Sequence, residues 1–430
     1  MMFVNFSFDK TVRYVLVSFT DLCGVIRSKL VPVTALDHLK KNGAAFAGFA
    51  AHFNLSPSDP DIILVPDFST AIVLPWKTDV AWVTGDLYMG DALLVQSPRN
   101  VLKHCIAQAK KDGLLLKTGV EAEFFLLSED GACASDKKDQ YLKPCYDQQS
   151  LMRRFDVISE VCDALHQLGW KPYQADHEDA TGQFEINWEY TDCLETADRH
   201  AFFKFLVKSM AEKHGFKASF MPKPFSDLTG NGCHVHCSLW NESGENLFVD
   251  ADTVGSLSPI GQYFIGGLLH HAPALTALTN PTINSYKRLS ARNTSSGATW
   301  APVAISYAGN NRSHLIRIPE DDRCELRLPD GSANPYLLQA SVLAAGLLGV
   351  RGKLSPGPRH NSNAYESDVT VSQPLPLDLS SSIKNLVKDY ELTELLNQGF
   401  VSSYASYKER EILGYMRSVS AWEFNNTIDC

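Results

Sequence analysis

The segment Thr229–Cys237, TGNGCHVHC, places two histidines and two cysteines within five consecutive residues. A zinc site is the first chemistry to weigh against that set. Zinc knuckles draw their ligands from two short motifs separated by a loop. No second Cys/His cluster is present to complete one. The run CHVHCSLW also alternates with period two, as a strand does. His234, His236 and Ser238 share one face, and Cys233, Val235, Cys237 and Leu239 share the other. A strand does not easily turn both sets toward one ion. The cysteines are therefore assigned to core and the histidines to a polar cleft.

Three other segments carry the same pattern. TGVEAEFFLL reads as one strand from its β-branched and aromatic content, with Glu121 and Glu123 on one face. GQFEINW sets Gln183, Glu185 and Asn187 against Phe184, Ile186 and Trp188. DRCELRLP sets Arg323, Glu325 and Arg327 against Cys324, Leu326 and Leu328. Any one of these alone reads as an ordinary amphipathic strand with a solvated polar face. Four together point to a cleft. Carboxylates crowded in a cleft repel one another and hold protons at neutral pH unless a cation sits among them. Oxygen-rich sites with one histidine suit Mg²⁺ or Mn²⁺ better than zinc. Arg288, Arg312, Arg317, Arg323 and Arg327 fall within 40 residues and need an anionic target. Acids, metal and arginines in one place are the parts of phosphoryl transfer from a nucleotide. Neither a G-x-x-x-x-G-K-[ST] loop nor a G-x-G-x-x-G turn is present, so the nucleotide site is of another kind.

The elements that must hold these residues need a large core. The chain has 430 residues, of which 44% are hydrophobic, and a formal net charge of -10. That length allows two or three domains. The acidic balance argues against nucleic acid or an anionic membrane as partner. No basic-then-apolar leader is seen in MMFVNFSFDK, and a cytoplasmic location is expected. The longest apolar run, Tyr336–Val350, is too short to span a bilayer and carries Gln339. It reads as a buried helix with Asn334 as N-cap and Pro335 at the first helical position. The ten cysteines include no C-x-x-C pair and read as reduced thiols, several of them core fillers.

Six motifs then occur in order: VEAEFF, HEDATGQFEI, GNGCHVHCSLW, NPTINSYKRL, NNRSHLIRIP and CELRLPDGSANPYL. Together they resemble the glutamine synthetase superfamily, over about Tyr14 to Gly349. The segments GAAFAGFA and GATWAP look closer to bacterial type III-like ligases and γ-glutamylmethylamide synthetases. The resemblance implies an α+β chain. A small N-terminal β-grasp domain (1–98) would precede a large catalytic domain (99–430) with a curved antiparallel sheet flanked by helices. It implies ATP-dependent phosphorylation of the L-glutamate γ-carboxylate, then displacement of phosphate by a small amine. It further implies about two to three Mg²⁺ or Mn²⁺ ions per site, and a homo-oligomer, a dodecamer of stacked hexamers with shared active sites.

Residue by residue, Glu121, His234 and Glu325 match the ligands of one ion, and Glu123, Glu178 and Glu185 those of another. His236, Ser238 and Arg323 match nucleotide contacts. Glu123, Thr229, Gly230, Arg288 and Arg327 match the glutamate site, and Arg312 and Arg317 match residues that grip phosphate. All six metal positions are filled, which disfavours a non-catalytic sensor or structural homologue. Three positions depart from ordinary glutamine synthetases. Thr229 replaces an Asn. Ala47 stands where an Asp captures ammonium, and Trp300 stands where a flap Glu precedes Ala-Pro. Losing two anions weakens selection for a bare cation, and a tryptophan face can hold an alkylammonium. Methylamine is therefore the expected amine. The alternative is ammonia with Asp179, beside Glu178, as base, which would make glutamine.

Overall fold

The computed structural model describes residues 7–250, 257–292, 294–366 and 374–430. The first six residues, part of the stretch read above for a leader, lie outside it. The chain is α+β, as expected, with a strand-rich N-terminal part and antiparallel-rich sheets flanked by helices.

The N-terminal part holds two four-stranded sheets. In the first, Tyr14–Thr20 buries Val15, Val17 and Phe19. It pairs antiparallel with Ile26–Pro32 and parallel with Lys77–Val83. Ile26–Pro32 is an edge strand carrying Arg27 and Lys29, charges that discourage further pairing. The second sheet runs Ala44–Phe46, Ile62–Pro66, Gly85–Met89, Ala92–Leu93. The helix Pro98–Lys111 follows, with proline at its first turn.

One buried arginine ties these parts together. Arg99 is 4% exposed and donates to Asp86 at 2.6 Å, Asp67 at 3.0 Å and both oxygens of Asp198 at 3.1 and 3.2 Å. Tyr336 adds its hydroxyl to Asp198 at 2.7 Å. Removing the cation leaves the buried Asp198 without a counter-charge, while Asp86 keeps Lys103. Arg99→Met is therefore expected to cost about 3–5 kcal/mol. Thermal unfolding reads this directly, and an unchanged midpoint would contradict it.

The two remaining sheets begin at the run TGVEAEFFLL, which is not one strand. Leu115–Ala122 belongs to a six-stranded sheet, and Phe124–Ser128 to a separate four-stranded sheet. The break falls at Glu123, whose backbone N–H donates to Gly232 O. Gln183–Trp188, in the four-stranded sheet, is buried on both faces, so its polar face is not solvated. The six-stranded sheet places Cys233–Trp240 between Leu115–Ala122 and Arg323–Leu326. Glu121 thus stands opposite His234, and Glu325 opposite His236.

The apolar run forms the helix Pro335–Gly352, capped as expected by Asn334 Oδ1 on Tyr336 N at 3.1 Å. It packs closely on Pro259–His270. A methyl group at Gly267 would lie 2.1 Å from Ala345 O, so only glycine allows that approach. All ten cysteines are free, and Cys105, Cys193, Cys233, Cys237 and Cys324 are buried. No helix among the described residues is long and apolar enough to cross a membrane.

Candidate active site

Two neighbouring cavities, of about 470 and 350 Å³, meet at Glu121, which lines both. Strand register builds the first acidic cluster between them. Glu121, His234 and Glu325 present ligand atoms within 4.8 Å of one another. His234 Nδ1 lies 3.4 Å from Glu121 and 3.5 Å from Glu325, and His236 Nε2 lies 3.0 Å from Glu121. His234 Nε2 is buried without a hydrogen-bond partner. Burial works to raise the Glu121 carboxyl, but bonds from His234 and His236 outweigh it and hold it well below its usual range. Burial likewise opposes ionisation of Glu325, yet the charges of Arg327, His234 and His236 bring it down to about 2.

The second cluster is Asp176, Glu178 and Glu185. Asp176 faces Glu185 across the Pro172–His177 and Gln183–Trp188 strands. Among the described residues no cation is bonded to these acids; Asn187 Nδ2 donates to Glu185 at 2.9 Å and Gln174 Nε2 to Asp176 at 3.1 Å, and neither outweighs the crowding. Burial, then the charges of Glu123, Asp176 and Glu121, raise Glu178 well above its ordinary value. Burial and the charges of Glu121, Glu178 and Glu123 do the same to Glu185. An orphaned imidazole nitrogen and crowded, proton-holding carboxylates are what a hard divalent cation would complete, so the donor set fits one.

Glu123 lines the same cavity beside this cluster, in which Asp176 stands with Glu178 and Glu185. Its Oε2 accepts from Gly232 N at 2.7 Å and from Gln183 Nε2 at 2.9 Å. Asp176 was missed, although DHE in HEDATGQFEI's approach alternates Asp176 with Glu178 in the same period-two manner.

The arginines divide between the cavities. Arg288, Arg312, Arg317 and Arg327 line the smaller one with the acids. Arg317 and Arg327 grip the two oxygens of Glu325 at 2.8 and 2.5 Å. Arg323, His236 and Ser238 line the larger one instead, beside Lys117 and Tyr173. Ser238 Oγ accepts from Trp240 Nε1 at 2.8 Å, and Lys117 stacks 4.0 Å above that indole. Gly230 lies where a methyl group would meet Pro222 O at 2.2 Å.

Trp300, Thr229, Cys145 and Tyr146 also line the smaller cavity. Tyr146 and Cys145 were missed by sequence reasoning, since only the loop's path brings them there. Burial and the charges of Glu178 and Asp179 push the Cys145 thiol up to about 12, which argues against a nucleophile. Two expected residues are not among the described lining. Asp179 is buried and bonded to Trp300, and Ala47 is exposed on the turn after Ala44–Phe46.

A family model for the glutamine synthetase catalytic domain matches residues 95–427. The chain belongs to the glutamine synthetase family and is an ATP-dependent ligase. It is 53% identical to a glutamine synthetase of Rhizobium meliloti (strain 1021), over 99% of this chain and 98% of that one. It is 40% identical to the glutamate–methylamine ligase of Methyloversatilis universalis, over 98% and 97%. A solved structure described as a GmaS/ADP complex superposes with a TM-score of 0.94 at 51% identity, covering 98% of each chain.

Proposed function

We propose that the chain is a γ-glutamyl–amine ligase, joining L-glutamate to a small amine at the expense of ATP, with methylamine preferred over ammonia. The observation that carries the amine choice is Trp300. It lines the acidic cavity with Tyr146, and so offers aromatic surface to a methyl group. Likeness to the GmaS structure supports this. The relatives named glutamine synthetase keep ammonia as the second reading.

In this reading the larger cavity takes the nucleotide, with Ser238, His236 and Arg323 on its wall. Arg288, Arg327 and Gly230 receive glutamate, and Thr229 borders it. Arg312 and Arg317 face the phosphoryl group in transfer. Glu121, His234 and Glu325 would hold one Mg²⁺ or Mn²⁺, and Glu178 and Glu185 with Glu123 or Asp176 a second. Bound there, such ions would supply charge neutralisation for the phosphates. The division at residue 98, the β-grasp assignment and a cytoplasmic setting belong to the same proposal.

The decisive experiment is an amine panel of ammonium, methylamine, ethylamine, ethanolamine and putrescine, scored as glutamate-dependent ADP release. kcat/KM for methylamine, corrected for free amine, is expected to exceed that for ammonium by about tenfold. A preference for ammonium would end the methylamine reading and leave the ligase intact.

Ala47 lies outside its own chain's cavity, which suits a site completed by a neighbour's turn. Assembly therefore belongs to the function, and a dodecamer is proposed. Met416, Val419, Trp422, Phe424 and Ile428 are exposed near the C-terminus, and the helix Ala421–Thr427 buries no residue. Such apolar surface needs a cover. Deleting residues 418–430 is expected to reduce the particle to about half its mass, one ring in place of two. Sedimentation velocity gives the answer, and an active full-length monomer would refute the assembly.

A further inference from the structure

Asp179 Oδ2 is the meeting point of three donors from two segments, Thr229 on one and Ser296 and Trp300 on the other. Trp300 Nε1 reaches it at 2.7 Å, Ser296 Oγ at 2.5 Å and Thr229 Oγ1 at 3.2 Å. Asp179 itself is 6% exposed and is not among the described residues lining the acidic cavity. Trp300 does line it, with a backbone φ of 54°. An L residue rarely adopts that left-handed conformation, and keeps it only where the surroundings over-determine it. The surroundings here are specific. Arg327 Nη2 donates to Trp300 O at 3.4 Å, and Ser295 N donates to Asp227 O at 2.8 Å.

We propose that Asp179 is a positioning residue for the amine site, acting through Trp300. This rests on the γ-glutamyl ligase reading above. An indole has one polar hydrogen and no acceptor. With that hydrogen spent on Asp179, Trp300 has no donor left for a substrate, and presents the cavity with apolar, π-bearing surface. Such a surface discriminates for the alkyl part of an alkylammonium and offers ammonium nothing but its π-electrons. Thr229 has a single hydroxyl hydrogen, which goes either to Asp179 at 3.2 Å or to Ala298 O at 3.3 Å, so its donor is turned to the loop rather than to glutamate. The latch thus sets the shape of the pocket, while the charged chemistry stays with the arginines and acids.

The rival role is direct: Asp179 takes the proton of the amine. Steady-state kinetics of Trp300→Phe, Asp179→Asn, Asp179→Leu and the Trp300→Phe/Asp179→Leu double variant separate the two. Trp300→Phe keeps the ring and loses only the N–H. It and Asp179→Leu are each expected to raise the methylamine KM by about tenfold or more, with a smaller fall in kcat. The double variant should be no worse than the poorer single one, because both remove one interaction. Asp179→Asn, which still offers an oxygen to the indole, should recover most of the loss and keep the pH profile of kcat/KM. Loss of kcat by about a hundredfold or more in Asp179→Asn, beside a near-normal Trp300→Phe, would assign Asp179 to proton transfer and overturn the proposal. Additive losses in the double variant would overturn it too. If Asp179→Leu does not fold, the Asn and Phe variants alone decide. A wild-type chain without glutamate- and amine-dependent ADP release would instead remove the ligase reading itself.

Discussion

Glu121→Ala is expected to lower ligase turnover by more than about a hundredfold. Glu121 borders both cavities, accepts from His234 and His236, and shares the first acidic cluster with Glu325. No neighbouring carboxylate can replace it, because strand register puts the next acid on that face at the sheet break, at Glu123. Glutamate-dependent ADP release at saturating Mg²⁺ measures the loss. Turnover within a few-fold of wild type would remove Glu121 from the metal site. The same assay ranks Glu123 against Asp176. Glu123 is buried and accepts from Gly232 N and Gln183 Nε2, whereas Asp176 is half-buried within the second cluster. Glu123→Ala is expected to fall as far as Glu121→Ala, and Asp176→Ala less far. The reverse order would make Asp176 the ligand.

Much of this site was legible because strand periodicity is local. Alternation alone put His234, His236 and Ser238 on one face, and the paired strands carry that face to Glu121 and Glu325. The cap on Pro335–Gly352 was equally local, written in Asn334 and Pro335. Three features escaped the reading. The break at Glu123 depends on a hydrogen bond to Gly232, more than a hundred residues away. Asp176 joins its cluster only through the pairing that sets it opposite Glu185. The Asp179–Trp300 contact spans 121 residues and has no periodic signature. The Glu123 break and the Asp179–Trp300 contact need long-range contacts, which alternation cannot announce, whereas Asp176 sits on a local hairpin and its alternation with Glu178 was a signal left unread.

The metal requirement has a signature in stability as well as in activity. Glu178 and Glu185 have carboxyls raised well above their ordinary values, by burial first and then by the charges of neighbouring acids, Glu123 foremost for Glu178 and Glu121 foremost for Glu185. A group whose folded pKa is raised binds protons more tightly folded than unfolded. Its contribution is present below the unfolded pKa of about 4.3 and is lost as pH rises through the raised value. Glu121 and Glu325 are lowered, so they act in the opposite sense and lose stability only as the pH falls through their folded values. The metal-free protein is therefore expected to weaken from about pH 5 upward on account of Glu178 and Glu185. Cation binding requires those carboxyls ionised and releases their protons, so its affinity rises over the same range. The gain in thermal midpoint on adding Mg²⁺ to chelator-treated protein should grow between about pH 5.5 and 7.5, by about several degrees at the upper end. Glu185→Gln should flatten that dependence, because an amide of the same shape removes one titrating group and one charge. Chelator-treated wild type should also lose its turnover and regain it with Mg²⁺ or Mn²⁺. A midpoint gain equal at both pH values, or full turnover after exhaustive chelation, would contradict a cation held by these acids.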